Sequence, residues 1–422
     1  MRVLFTTFSA RTHLYPMVPL AWAFRVAGHE VVVASQPILT DVITEAGLPA
    51  VSVGADFSTA EIVANADDDI AKPVEIFGLE PESLDWEELT RGYRSFLKAG
   101  VIPFNDSMVD DLVDFAVDWR PDLVIWEPIT FAGAVAARVT GAAHARLLWG
   151  QDVWTRTREH FVALRDGRPA GEQTDLQAEW LTDVLQRHGA TFHEDVVNGQ
   201  WTIDPMPAAT RLAAATPSVP MQYVPYNGRS PIPNWLREPS TRPRICVTIG
   251  ISQREYEHVP GPGQQDIGMI LDAIADLDAE VVVTLTERQQ AALADSLRHP
   301  NVRAVEFVPL HALLPTCAAV VHHGGAGTYS TALAAGVPQL IIPNMFDTVL
   351  KARQLTDLGA GLHIHSADLT GAEVRAGLVR MLTEPSFQES AARLRQESLA
   401  DPTPGELVPI LESMTMKYRT EG

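Results

Sequence analysis

Two doubly wound α/β domains are the fold class this sequence predicts, and three observations carry it. Apolar strand-like runs alternate with helical stretches in both halves, a proline-rich interval interrupts that rhythm once, and 422 residues exceed what one hydrophobic core organises. Residues 2–8, RVLFTTF, read as a buried strand, and Pro16 to Ala27 carry apolar residues at helical spacing before Gly28, which suits a helix end. VVVAS (31–35) and AVSVG (50–54) are the next strands. A long acidic helical region runs to about Trp119, then DLVIW (122–126) reads as strand, FAGAVAARVTG as helix and HARLLWG as strand. Such alternation points to a parallel sheet covered on both faces.

Between Pro217 and Pro243 prolines recur too often for a helix or a central strand, which marks a linker. The expected domains are 1–225, a linker at 226–243, and 244–422 with its last helix packing back on the first domain. In the second half the strands ICVTIGIS, EVVVTLT, VRAVEFVP, AAVVHHGG and QLIIP alternate with the helical GMILDAIADL, RQQAALADSL, HALLPTC and TYSTALAAG. Two such domains leave a cleft between the carboxyl ends of two sheets, where open α/β sheets bind ligands.

Composition narrows the function classes. Lys and Arg total 32 against 53 Asp and Glu, a net charge of −21, which argues against nucleic acid or an anionic membrane as partner. Cys246 and Cys317 are the only cysteines, too few for a disulfide framework and without the spacing of a zinc site. The opening MRVLFTTF has no secretory pattern and no run is apolar enough to span a bilayer, so a cytoplasmic location is expected.

The stretch AAVVHHGGAGTYSTALAAGVPQLIIP, residues 318–343, concentrates the chemistry. A strand ends at His322 and His323, glycines 324, 325 and 327 allow close backbone approach, and Thr328 stands where a helix begins. Free amides there suit a phosphate, with His323 and Thr328 as further donors. A glycine-rich βα turn that binds nothing is the other reading. The glycines match neither a P-loop nor GxGxxG, and adjacent histidines on a strand face opposite ways, so no metal is expected.

HHGGAGT after a strand, followed by Gly-Val-Pro, Ile-Ile-Pro and Asp347, resembles the donor-binding half of GT-B glycosyltransferases that make glycosylated natural products. VPLAWAFRVAGHEVVVASQP, WRPDLVIWEP, HARLLWG and GQWTIDP are similar to the actinobacterial transferases that attach deoxysugars to macrolides, those of the desosaminyltransferase type in particular. The resemblance covers nearly the whole chain. It implies a GT-B fold, a TDP-sugar donor with no other cofactor, a hydrophobic polyketide acceptor and an inverting transfer.

His13 follows the first strand and Glu127 the strand DLVIW, so both belong at the carboxyl edge of the first sheet. A neutral histidine held in one tautomer by a carboxylate suits removal of a proton from an acceptor hydroxyl. The resemblance matches the catalytic histidine to His13 and its orienting carboxylate to Glu127, where many relatives carry aspartate. The other reading has His13 capping its loop or contacting a backbone carbonyl, as His29 would in its own turn. The donor residues implied are Ser252 and the turn His323, Gly324, Gly325, Ala326, Gly327 and Thr328 on the diphosphate, with Arg254 nearby, either as added charge or as an exposed arginine. Backbone around Val308 and Pro309 would read the base, and Asp347 with Thr348 the sugar. Asp-Thr in place of an Asp-Gln pair points to a deoxysugar with fewer hydroxyls, and an aminosugar would pair with Asp347. The alternative for Asp347 is a cap on the helix that begins near Val349.

Asp67 to Asp69 and Asp276 to Asp278 lack the strand-end context of a metal-binding Asp-x-Asp and read as solvated surface, and His363 with His365 as structural. The acidic region from Asp56 to Trp119 and QDVWTRTREHF would shape the acceptor pocket, and the resemblance further implies a helper, a haem-free monooxygenase-like protein. A sugar-nucleotide epimerase on the same architecture and a non-catalytic nucleotide-sugar binding protein are the competing functions. A dehydrogenase is disfavoured because neither half shows the dinucleotide fingerprint.

Overall fold

The computed structural model describes residues 1–57, 76–78, 80–250, 264–343 and 347–419. The chain divides into two compact units, the first made of Met1–Pro205, Arg211–Met221 and Pro402–Gly422, the second of Met206–Thr210 and Gln222–Asp401.

In the first unit β1 (Arg2–Thr6), β2 (Glu30–Ser35), β3 (Ala50–Ser52), β4 (Leu123–Trp126), β5 (Ala143–Leu147), β6 (Trp201–Asp204) and β7 (Ser218–Pro220) form one sheet in the order β3-β2-β1-β4-β5-β6-β7. Every pairing is parallel. Val3, Leu4 and Phe5 of β1 and all of β4 are fully buried, as continuous apolar runs require when helices cover both faces. β7 arises inside the proline-rich stretch, and it does so at the sheet edge, where Pro220 forfeits no ladder bond. The strand order reverses between β1 and β4, so the loops after these two strands flank the crevice where doubly wound sheets take ligands.

Helices α1 (Val18–Val26), α2 (Trp86–Phe96), α3 (Val109–Trp119), α4 (Ala132–Thr140), α5 (Val153–Asp166) and α6 (Leu176–Arg187) surround this sheet. Gly28 ends the α1 turn at φ +90°, a conformation that other residues rarely adopt. α2 starts at a capping box, with Asp85 accepting the Glu88 amide and the Glu88 side chain accepting the Asp85 amide. Gly133 lets α4 press onto the sheet, because a Cβ there would strike Thr6 Oγ1 and the Trp126 side chain.

The second unit holds β8 (Arg244–Thr248), β9 (Glu280–Thr284), β10 (Val302–Val305), β11 (Ala319–His322), β12 (Gln339–Ile341) and β13 (Gly361–His363), all parallel in the order β10-β9-β8-β11-β12-β13. Here the order reverses between β8 and β11. α7 (Gln264–Ile274), α8 (Ala326–Ala335), α9 (Asp347–Asp357), α10 (Gly371–Thr383) and α11 (Pro385–Ala400) are its longer helices. The helical stretch expected over RQQAALADSL closes early, at Ala292, and Ser296–Arg298 forms a separate 3-10 turn; neither piece buries a residue that would hold a longer helix in place.

α12 (Pro404–Tyr418) returns to the first unit and lies against α1. His29 joins three parts of that unit: its Nδ1 meets the Met1 amine at 3.0 Å and its Nε2 lies 3.0 Å from Glu412 Oε1 on α12.

Candidate active site

His13 stands on a one-turn helix, Arg11–Leu14, that β1 feeds directly; its amide bonds the Ala10 carbonyl at 3.1 Å. Its ring Nδ1 lies 3.0 Å from Glu127 Oε2. The Glu127 side chain is fully buried, and 18% of the His13 side chain is exposed. Glu127 is surrounded by donors: Oε2 also accepts from Trp149 Nε1 at 3.2 Å and the Ile129 amide at 3.3 Å, and Oε1 accepts from the Thr130 hydroxyl. An acceptor-only carboxylate assigns the Nδ1 proton to the imidazole, which leaves Nε2 with a lone pair. The ring is clamped edge-on by Phe8, 4.5 Å between centroids, and Trp149, 5.1 Å. An imidazole oriented in this way has one nitrogen that could accept a proton.

The loops that carry this pair are stitched to each other. Thr130 Oγ1 accepts the Phe8 amide at 3.0 Å while it donates to Glu127. Buried Asn105 donates to the Ile129 carbonyl at 2.9 Å and the Val101 carbonyl at 2.8 Å, and accepts the Ala132 amide at 2.8 Å. Beside the Glu127 loop lies a narrow crevice of about 20 Å³, lined by Phe77, Phe96, Pro128, Ile129, Trp154 and Arg158 among others. Its aromatic wall continues toward His13 through the Trp149–Trp154 contact at 5.9 Å. Aromatic faces of this kind suit contact with apolar surface.

In the second unit the two adjacent histidines have separate jobs. His322 is built into the turn: its Nδ1 accepts the Gly324 amide at 3.0 Å, so its Nε2 carries the proton and donates to Gln339 Oε1 at 2.8 Å. Burial holds its pKa down to about 3. His323 faces the turn. Part of the residue is exposed, but Nδ1 is shut off from water without a partner. Burial first, then the charge of Lys351, pushes its pKa down to about 4. The ring lies so close to Gly325 and Gly250 that a Cβ there would stand 2.6 Å from Nε2 and 3.0 Å from Cε1. Gly324 sits at φ +94° with Thr348 3.0 Å from where its Cβ would be, so no side chain fits there.

α8 then begins. Tyr329 makes the first helical bond, to the Gly325 carbonyl at 3.0 Å, so the amides of Ala326, Gly327 and Thr328 precede the ladder, with Gly327 exposed and Thr328 buried. Three amides left free at a helix N-terminus are of the kind that could receive an anion. Asp347 and Thr348 open α9 and are buried; Lys351, one turn on, places Nζ 2.8 Å from Asp347 Oδ2. Val308 is buried in the core beside Leu313 and Val320, and the Pro309 carbonyl accepts the Ala312 and Leu313 amides as it starts the one-turn helix Leu310–Leu313. Ser252, Arg254 and Asp67 to Asp69 lie outside the described residues. Asp276 and Asp278 are exposed and pair with Arg375 and Arg242. His363 bonds Thr356 Oγ1 at 2.8 Å, and His365 accepts the Ala367 amide at the start of its own turn.

The N-terminal domain model of the erythromycin biosynthesis protein CIII-like family matches residues 22–250, and its C-terminal domain model matches residues 268–414. The chain belongs to this family. Among its curated relatives, the 10-deoxymethynolide desosaminyltransferase of Streptomyces venezuelae is 50% identical over 424 residues, which cover 99% of this chain and 98% of that protein. The TDP-daunosamine transferase DnrS of Streptomyces peucetius is 48% identical over 427 residues, 99% of this chain and 98% of that one. The crystal structure of glycosyltransferase VinC in complex with DTDP superposes with a TM-score of 0.88 at 40% identity, covering 99% of this chain and 100% of VinC. The protein is therefore a natural-product glycosyltransferase of GT-B fold. The relatives named are transferases, which does not favour the epimerase alternative.

Three neighbours of the predicted residues escaped the sequence reading. Trp149 could have been found, because it directly follows a strand adjacent to β4. Thr130 carries no such signal. Lys351 stands four residues after Asp347, a spacing shared by countless exposed helix pairs. Among the described residues, no helix is long and apolar enough to cross a membrane.

Proposed function

We propose that this glycosyltransferase moves a deoxysugar, an aminodeoxysugar by preference, from a TDP-sugar to a hydroxyl of a polyketide aglycone, with inversion at the anomeric carbon. The observation that carries the reading is the His13–Glu127 pair, 3.0 Å apart, at the strand-order reversal of the first sheet. His13 Nε2 takes the proton of the acceptor hydroxyl, the freed oxygen attacks the anomeric carbon, and the bond from that carbon to the diphosphate oxygen breaks. TDP leaves with the bonding pair, so no covalent intermediate is needed. Glu127 keeps the Nδ1 proton in place and stabilises the imidazolium as it forms.

The amides of Ala326, Gly327 and Thr328, with Gly324, Gly325 and His323, receive the charge that develops on the diphosphate. Ser252 adds a phosphate contact, the backbone of Val308 and Pro309 contacts the base, and Asp347 with Thr348 contacts the sugar. The aromatic residues beside His13, with Phe8 and Trp149 against its ring and Trp154 next to Trp149, offer apolar contact to the aglycone. Support for a thymidine diphosphate donor comes from VinC, whose structure was determined with DTDP, and from the daunosamine transferase, whose name specifies TDP.

Calorimetric titration with thymidine diphosphate, uridine diphosphate and NAD tests the donor half without any guess about the acceptor. Preferential binding of TDP is the expected result, and failure to bind it refutes the donor site. His13→Ala tests the other half: TDP binding should persist while transfer is lost, and full turnover would remove His13 from the mechanism. Assays of the chain alone and with a haem-free monooxygenase-like protein decide whether a helper is required.

A further inference from the structure

The turn at residues 322–328, HHGGAGT, contains no arginine or lysine, and both of its histidines are neutral near pH 7. A site built only from amides and neutral rings would meet a diphosphate with partial charges alone. Two full charges close to it lie on α9. The Lys351 side chain has no exposure, its ammonium stands 2.8 Å from Asp347 Oδ2, and it rests 5.5 Å above the ring of Tyr329, the first residue of α8 to enter the helical ladder. Thr348 of the same helix packs on Gly324 of the turn. Lys351 is also close enough to help lower the pKa of His323.

The pair is held by packing and charge rather than by directional bonding. Neither Asp347 Oδ2 nor Lys351 Nζ has an aligned hydrogen-bond partner, although the two atoms are in ion-pair contact. A buried pair of this kind is close to neutral as a unit, and removal of either member leaves a buried charge uncompensated. Beside a diphosphate the two removals have opposite consequences: a stranded carboxylate repels the ligand and a stranded ammonium attracts it.

We infer that Lys351 is a positioning residue for the donor, forming with Asp347 a single buried unit whose charge balance sets how strongly the turn at 322–328 holds the diphosphate. This rests on the donor-site reading above. Asp347 Oδ2 is committed to Lys351, so the lysine also fixes how the carboxylate is held.

The test is TDP affinity by calorimetry, measured for every variant at one fixed pH. Lys351→Met should weaken TDP binding about tenfold or more, Asp347→Asn should strengthen it about threefold, and the double variant should return to within about threefold of the unaltered protein. A purely structural role would lower the melting temperature without this reversal of sign. Unchanged TDP affinity in Lys351→Met, or a double variant as weak as that single one, overturns the inference. If Lys351→Met does not fold, Asp347→Asn decides alone, since weaker or equal TDP binding contradicts the expected gain. Failure of the unaltered protein to bind TDP is a different outcome, which refutes the donor-site reading itself and takes this inference with it.

Discussion

Glu127→Gln probes the dyad at its centre. The carboxylate takes four donors, three of them on Oε2: His13 Nδ1, Trp149 Nε1 and the Ile129 amide, with the Thr130 hydroxyl on Oε1. A glutamine fits best with its oxygen toward those three and its amide nitrogen toward Thr130, whose hydroxyl already accepts the Phe8 amide. That orientation preserves the Nδ1–H tautomer and loses little structure, so stability should fall by roughly 1–2 kcal/mol, the cost of one misdirected donor. What disappears is the counter-charge. Two unit charges about 4 Å apart at an effective dielectric constant near 20 interact by roughly 4 kcal/mol, and a half-transferred proton realises about half of that. Transfer should therefore slow by about 30-fold, corresponding to roughly 2 kcal/mol, with TDP affinity unchanged. His13→Ala removes the base itself and should cost about 10²–10⁴-fold. The assay is TDP release from a TDP-deoxysugar in the presence of an accepted polyketide, measured for both single variants and for the double. Because Glu127 acts only through His13, the double variant should be no slower than His13→Ala. A further 30-fold loss in the double variant would refute the coupling, and a normal rate in Glu127→Gln would refute the electrostatic account.

Further outcomes follow from the same geometry. Asn105→Ala leaves the Ile129 and Val101 carbonyls and the Ala132 amide without their partner, and should cost on the order of 3 kcal/mol, read as a lowered Tm, together with slower transfer because the Glu127 loop loses its anchor. Gly325→Ala places a methyl group 2.6 Å from His323 Nε2; the ring is displaced, TDP affinity falls, and Tm changes little because only a side chain moves. His144, His322 and His323 are held below the ordinary imidazole value of 6.5, to about 4, about 3 and about 4, by burial first. The unfolded chain therefore binds protons that the folded one refuses, so stability falls as pH drops from about 6.5 toward 4; denaturant midpoints across that range should show this slope, reduced in His144→Leu.

What the sequence disclosed and what it withheld divide along a physical line. The meeting of His13 and Glu127 was legible because each follows an apolar strand, Glu127 at once and His13 across a short loop, and strands adjacent to a reversal in order deliver the residues after them to one edge. The glycine-rich turn at 322–328 was legible for the same reason, with its glycines marking where neighbouring groups come close. Thr130 and Lys351 were not, since the role of each depends on a partner supplied by another element. Thr130 reads as an ordinary loop threonine until the Phe8 amide is seen on its oxygen. Strand β7 was hidden because prolines exclude a central strand but not an edge one. The fully buried side chain of Lys351 is the sharpest case. A lysine four residues after an aspartate in a helix is ordinarily a solvated pair worth a few tenths of a kcal/mol. Packing of α9 against Gly324 and Tyr329 removes that solvent, and the same two residues become a buried, balanced pair of charges beside the turn. Substituting Gly324 should therefore disturb Lys351 as well as the turn: Gly324→Ala brings a methyl group to 3.0 Å from Thr348, pushes α9 outward and lets water reach the pair. The ion pair would then revert to the weak surface kind, and the difference in TDP affinity between Lys351→Met and the unaltered residue should shrink in that background. An undiminished difference would mean that the field of Lys351 at the turn owes nothing to the close approach that Gly324 permits.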